Sequence, residues 1–115
     1  IPGLIEGAHE GVGLGDKFLR HIERCKSILH LIDVTNDNLF ENYSKIRKEL
    51  AKYSNQLVKK KEIIVFNKID MIDKKEITKK INNFHKKIKK KIYTISALKH
   101  IGLKDIKKKL ISYAY

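Results

Sequence analysis

The apolar run Ile63-Ile64-Val65-Phe66 ends on Asn67-Lys68-Ile69-Asp70, and that junction limits the possible folds more than any other stretch of the chain. An unbroken apolar run of this length reads as a strand buried on both faces. The polar tetrapeptide then falls on the rim of a sheet. The arrangement recurs where Ile92-Tyr93-Thr94-Ile95 leads into Ser96-Ala97-Leu98, and again where the apolar run from Ser27 closes on Asp33. Between these runs, apolar residues repeat at helical spacing. They are Leu14, Phe18, Leu19, Ile22 and Cys25 in a helix from about Leu14 to Cys25, and Tyr43, Ile46, Leu50 and Tyr53 in one from about Phe40. Ile77, Ile81, Phe84 and Ile88 mark a helix over 74–87, and Leu103, Ile106, Leu110 and Tyr113 mark the last one. Alternating helices and strands predict an α/β protein, a parallel sheet with helices on both faces. Asp33, Asn67 and Ser96 then sit at carboxyl ends of strands, where open α/β sheets bind ligands. Five of the six glycines lie in the first 15 residues, so residues 1–13 read as a glycine-rich loop.

The residue types at two of those rims suit one purine. Guanine offers two adjacent donors, N1–H and the 2-amino group, and a carboxylate such as Asp70 can accept both. Adenine has an acceptor at N1 and no 2-amino group, so it would leave the carboxylate unpaired, which is costly. The amide of Asn67 can tie neighbouring loops together, and the alkyl stem of Lys68 can lie along a base plane. Backbone N–H groups near Ala97 can reach guanine O6, and a small side chain there lets the backbone approach. An N-K-x-D at one strand end and an S-A at the next is how P-loop GTPases hold guanine.

The amino terminus narrows the likeness. Ile1-Pro2-Gly3-Leu4-Ile5-Glu6-Gly7-Ala8, a glycine-rich turn and Phe18-Leu19-Arg20-His21-Ile22-Glu23-Arg24 closely resemble the switch II segment and following helix of the Obg family of bacterial GTPases. The resemblance continues through Leu29 to Asp33, Tyr43 to Tyr53, Val65 to Asp70 and Ser96 to Leu103. It implies a partial P-loop NTPase sheet of Rossmann-like type, the C-terminal portion of a GTPase domain over 1–115. The family's D-x-P-G would begin one residue before Ile1, and no G-x-x-x-x-G-K-[ST] loop occurs. The expectation is therefore a fragment without the P-loop or the glycine-rich N-terminal domain.

By resemblance, the intact parent binds GTP and GDP with Mg2+, hydrolyses GTP slowly and acts in the cytoplasm on assembly of the large ribosomal subunit and its RNA. Ile1, Pro2 and Gly3 would approach the nucleotide, with the Gly3 N–H on the γ-phosphate. Asn67, Lys68, Ile69 and Asp70, with Ser96, Ala97 and Leu98, would form the base pocket. No catalytic residue is assigned, and the Mg2+ ligands are expected elsewhere. Leu4 stands where many Ras-related GTPases place a glutamine that orients water, so water must be positioned by other means. The segment alone is expected to be marginally stable or aggregation-prone and inactive in hydrolysis, with Ile28, Leu29, Leu31 and Ile32 on an uncovered sheet edge.

Net charge is +13, from 26 basic and 13 acidic residues. The lysine runs 59–61, 86–87, 89–91 and 107–109 admit two readings, compositional drift over solvated faces or a surface facing RNA. The second is the alternative function, a small basic RNA- or ribosome-binding module without nucleotide chemistry. A single cysteine, Cys25, excludes an internal disulfide and reads as a core residue after an apolar stripe. No apolar stretch reaches the roughly 18–20 residues of a membrane span. Gly11-Val12-Gly13-Leu14-Gly15 lacks dinucleotide spacing, and the five histidines lack metal spacing. Asp33 reads as a cap for the turn that follows it.

Overall fold

A computed structural model describes residues 24–53 and 55–114. The glycine-rich loop 1–13, nearly all of the helix expected from Leu14, and with them Ile1, Pro2 and Gly3, lie outside the described residues. The element order is β1 (Ser27–Asp33), α1 (Leu39–Tyr53), α2 (Asn55–Lys59), β2 (Lys61–Asn67), a 3-10 turn (Ile69–Met71), α3 (Lys74–His85), β3 (Ile92–Thr94) and α4 (Leu103–Ala114). The three strands form one parallel sheet in the order β1-β2-β3. Ser27 lies opposite Lys61 and Asp33 opposite Asn67, so β1 and β2 begin and end level. Phe66 lies opposite Thr94. This is the α/β arrangement with a parallel sheet that the patterning predicts.

β2 is the centre of the molecule because both its faces are covered. Ile64 and Phe66 pack with Ile32, Val34, Leu39, Tyr43 and Phe84 beneath α1 and α3. Ile63 and Val65 pack with Ile95 and Ile106 beneath α4. Successive strand side chains point to opposite faces, so a continuous apolar run is what such a position requires. Phe66 and Phe84 meet edge to face at 5.3 Å, the ring geometry that aromatic quadrupoles favour. Burying each is worth about 2–3 kcal/mol.

Several expectations change. β1 is not covered on both faces: His30 and Ile32 are buried, whereas Leu29 and Leu31 are 44% and 53% exposed. Ile32 therefore belongs to the core and not to an open edge. β1 has no second strand neighbour among the described residues. Cys25 is exposed and not a core residue, because the chain has left helical spacing there and runs along the amino-end rim before β1. Its carbonyl accepts from Lys60 Nζ. The helical turn α2 was not foreseen, since the apolar pair Leu57-Val58 is too short to show a period; Leu57 packs under Leu50. α3 stops at His85, where the Lys86 N–H turns back to the carbonyl of Asn82 and those of Lys87 and Ile88 to the carbonyl of Phe84. Its start is set by Asp73, whose side chain accepts the Glu76 N–H at 2.9 Å, a D-x-x-E cap.

One buried charge stands near the amino end of β2. The wholly buried Glu62 side chain accepts from Tyr43 Oη at 2.6 Å and pairs with His30 Nδ1 at 3.2 Å and Arg47 at 3.4 Å. Burial alone would raise its pKa, but the bonds from His30 and Tyr43 and the Arg47 charge outweigh that and hold it at about 2. Burial and the same carboxylate push the Tyr43 phenol well above its ordinary value. Arg47 also donates to the Val58 carbonyl at 2.9 Å, fastening α2 to α1.

Candidate functional site

The carboxyl ends of β1, β2 and the segment after β3 are laced together by Asn67. Its backbone carbonyl accepts the Val34 N–H at 3.0 Å on one side. Its side-chain Oδ1 accepts the Ala97 N–H at 3.0 Å on the other. The two loops singled out in the sequence are thus joined directly, across 30 residues of chain.

Lys68 makes the corner. It has φ 67° and ψ 33°, the left-handed region, because the chain must turn sharply from strand into the 3-10 turn. For a non-glycine residue that costs about 1–2 kcal/mol. Two contacts hold the corner: the Met71 N–H donates to the Lys68 carbonyl at 3.0 Å, and Lys68 Nζ pairs with Asp33 Oδ2 at 2.9 Å. The other Asp33 oxygen accepts both the Thr35 hydroxyl, at 2.6 Å, and the Thr35 N–H, at 2.9 Å. The Thr35 hydroxyl, followed by Lys68, lowers the Asp33 pKa to about 2. Asp33 therefore does cap the following turn. Its second role, as partner of Lys68, follows from the strand register, which sets Asp33 level with Asn67.

The tetrapeptide divides its labour. Ile69 packs on the core cluster of Ile64 and Phe66 and donates its N–H to the Ile95 carbonyl at 3.2 Å, so it anchors the turn. Asp70, at the middle of the 3-10 turn, is half-buried, and its carboxylate has no hydrogen-bond or ion-pair partner among the described residues. The second loop is closed at its base. Ser96, wholly buried, exchanges backbone hydrogen bonds with Ile101 at 3.0 and 3.1 Å, and its Oγ accepts the Lys99 N–H at 3.1 Å. Gly102 follows with φ 79°, and a Cβ there would lie 2.4 Å from the Thr94 carbonyl. Only glycine returns the chain to α4 at that distance. Ala97 and Leu98 stand on the outside of the loop, with Leu98 81% exposed.

The structure thus gathers Asn67, Lys68, Asp70, Ala97 and Leu98 on one rim, with Ile69 and Ser96 holding it from beneath. A cleft of about 290 Å3 lies elsewhere, between the start of α1 and the end of α3, and none of these residues lines it. There Lys80 donates to the carbonyls of Val34 and Asn36, which fixes the loop after β1. Among the described residues no group of three or more His, Cys, Asp or Glu side chains is placed to hold a metal ion. No helix among the described residues is long and apolar enough to cross a membrane.

A parallel α/β sheet with an N-K-x-D turn braced to an S-A turn at adjacent strand ends is part of a P-loop GTPase domain. The family model described as a 50S ribosome-binding GTPase matches residues 1–68. The chain is 50% identical over 98% of its length to the GTPase Obg of Pelagibacter ubique, of which it covers 35%. It is 54% identical over 84% of its length to that of Ehrlichia chaffeensis, covering 28%, and 48% identical over 94% to that of Rickettsia felis, covering 33%. The chain belongs to the Obg family of GTPases. It spans about a third of the length of these curated relatives.

Proposed function

We propose that this chain is the guanine-reading part of a GTP-hydrolysing switch protein that acts in the cytoplasm on assembly of the large ribosomal subunit. The bond from the Ala97 N–H to Asn67 Oδ1 carries the reading, because it fixes the two base-facing loops relative to each other. Asp70 then accepts guanine N1–H and the 2-amino group with a carboxylate that has no partner among the described residues. The Lys68 stem lies under the base while Asp33 holds its ammonium group. Since Asn67 takes the Ala97 N–H, the O6 carbonyl meets the next amide, that of Leu98, and Ser96 supports the turn from below. By the resemblance alone, Ile1, Pro2 and Gly3, which lie outside the described residues, are assigned to the phosphates, with the Gly3 N–H for the γ-phosphate. Mg2+, when bound, neutralises phosphate charge, and no described residue is assigned to it. The ribosomal role rests on the family whose model matches residues 1–68.

The test is a graft of this chain in place of the matching segment of the Pelagibacter ubique GTPase Obg. Competition among GTP, ATP and XTP, with turnover of each, gives the readout. The graft should prefer GTP over ATP by at least about a thousandfold, as expected when a buried polar group rejects the wrong base. Asp70→Asn should move the preference to XTP, since an amide can donate to the 2-oxo group. A graft that keeps its GTP preference with Asn at 70 would sink the assignment.

A further inference from the structure

The loop after β1 is gripped from two sides by one segment of chain. Lys68, at the corner after β2, pairs with the Asp33 carboxylate at 2.9 Å. Lys80, on the second turn of α3, donates to two main-chain carbonyls of the same loop, Val34 at 2.7 Å and Asn36 at 2.9 Å. Side chains on a helix lean toward its amino end, and α3 begins at Asp73, just past the rim that carries Lys68. The Lys80 stem therefore runs up toward that rim. Val34 is held at both ends, since its N–H donates to the Asn67 carbonyl at 3.0 Å while its carbonyl accepts from Lys80. The Asn36 N–H closes back on the Asp33 carbonyl at 3.2 Å, and Thr35 donates twice to Asp33 Oδ1. Residues 33–36 thus form one bonded unit, and Lys80 ties it to α3. Bonds from an ammonium group are about twice as strong as neutral ones, so the tie fixes where the Asp33 carboxylate stands.

We propose that Lys80 is a positioning residue for guanine nucleotide binding. By pinning the loop after β1 it sets Asp33 against Lys68, and so keeps the Lys68 stem beneath the base. The proposal rests on the reading of Lys68 and Asp70 as base contacts. Lys80 lines the separate cleft between α1 and α3 and not the base-facing rim, so its route to the nucleotide is through Asp33. The Lys68 corner has a left-handed backbone held by two contacts, the Met71 N–H and Asp33. Without the Lys80 tie the loop drifts from α3, the second contact weakens, and the stem no longer lies fixed under the purine. The loss falls on how long a nucleotide stays, because altered contacts within one site act mostly on dissociation.

The experiment measures GDP release and single-turnover GTP hydrolysis in the graft carrying Lys80→Met. The control is Lys79→Met, which removes the same charge from the neighbouring, exposed position of α3. Lys80→Met should speed GDP release by about three- to tenfold, the factor that follows from losing a part-exposed ion pair. Hydrolysis of GTP already bound should stay within about twofold, since no reacting group moves. The control should change release by less than about twofold. Lys80→Arg, which keeps the charge and the donors, should restore release to within about twofold of the parent graft. Added to Asp33→Asn, Lys80→Met should bring little further loss, because both act on one contact. Unchanged release with only a lower melting temperature would make Lys80 a structural tie and overturn the proposal. Losses that multiply in full with Asp33→Asn would overturn it too, since Lys80 would then act by another route. Asp70→Asn is measured beside them. A move to XTP there upholds the base reading whatever Lys80 does, and a kept GTP preference sinks that reading and this proposal together. Circular dichroism checks the fold of each graft. If Lys80→Met does not match the parent spectrum, Lys80→Gln, shorter and uncharged, is read instead with the same outcomes.

Discussion

The two ends of the central strand use polar groups in opposite ways. Near the amino end, Glu62 is wholly buried and held by a tyrosine, a histidine and an arginine. At the carboxyl end, Asn67 uses one side-chain oxygen to brace two loops, and Asp70 keeps its carboxylate without a partner among the described residues. A charge fully paired inside a protein adds structure and no recognition. A charge held on a braced turn and left unpaired is available to a ligand. Removing groups from the amino end should therefore lower stability, and removing groups from the carboxyl rim should lower nucleotide affinity.

The largest stability effect belongs to the amino end. Glu62→Gln leaves Arg47 half-buried without its counter-charge and should cost about 3 kcal/mol at neutral pH, since breaking a buried pair is strongly destabilising. The sign with pH follows from the folded pKa of about 2, below the ordinary carboxylate value of 4.5. The stabilisation is complete above about 4.5 and is lost as pH falls toward 2. Urea unfolding from pH 7 to pH 2 should show the native chain losing this contribution and the variant lacking that loss. A variant as stable as the parent at pH 7 would mean that the paired charge carries no structural weight.

Gly102→Ala comes next, at about 2 kcal/mol, because the positive φ and the 2.4 Å approach to the Thr94 carbonyl both oppose a Cβ. Since that approach sets the loop carrying Ala97, affinity for guanine should fall with stability. A thermal melt and a nucleotide titration on the graft read the two together. Loss of stability with affinity intact would separate the loop's base from its tip.

The sheet, three of its helices and both loops were legible because each rests on local pattern. Largely apolar runs of four or five residues marked the strands, and a period of 3.6 marked α1, α3 and α4. What escaped depends on contacts between segments. The buried state of Glu62 could not be read from Lys60-Lys61-Glu62, which looks like solvated surface until Tyr43 and His30 arrive from α1 and β1. The Lys68–Asp33 pair needed the register of two strands, and the burial of Ile32, unlike the exposed Leu29 and Leu31 beside it, needed the packing of α1 and α3. Ile69 sat inside a recognition motif yet serves the core, a difference of orientation that a motif does not carry.

Asp33→Asn is a smaller break at the carboxyl rim. The amide still accepts from Thr35 but loses the charge that faces Lys68 at 2.9 Å. Part-exposed pairs of this kind contribute at most about 1 kcal/mol to stability. The Asp33 pKa of about 2 makes that contribution present above the ordinary value of 3.8 and lost toward pH 2. With the ammonium released, guanine nucleotide affinity of the graft should fall about three- to tenfold. A drop in the melt with affinity unchanged would make Asp33 a turn cap and nothing more.

The smallest effect sharpens the contrast most. Leu98 is 81% exposed on the tip of the second loop and supports nothing beneath it, whereas Ser96, two residues earlier, is wholly buried and closes the loop's base. Leu98→Ser should therefore leave stability within about 0.5 kcal/mol, the range of surface substitutions away from structural features. If the tip faces the base, the leucine screens the O6 contact from water, and its loss should weaken GDP binding to the graft by about two- to threefold. A stability loss above 1 kcal/mol would show the tip to be part of the core. Unchanged affinity would place the base farther from Leu98 and leave the O6 contact to another amide.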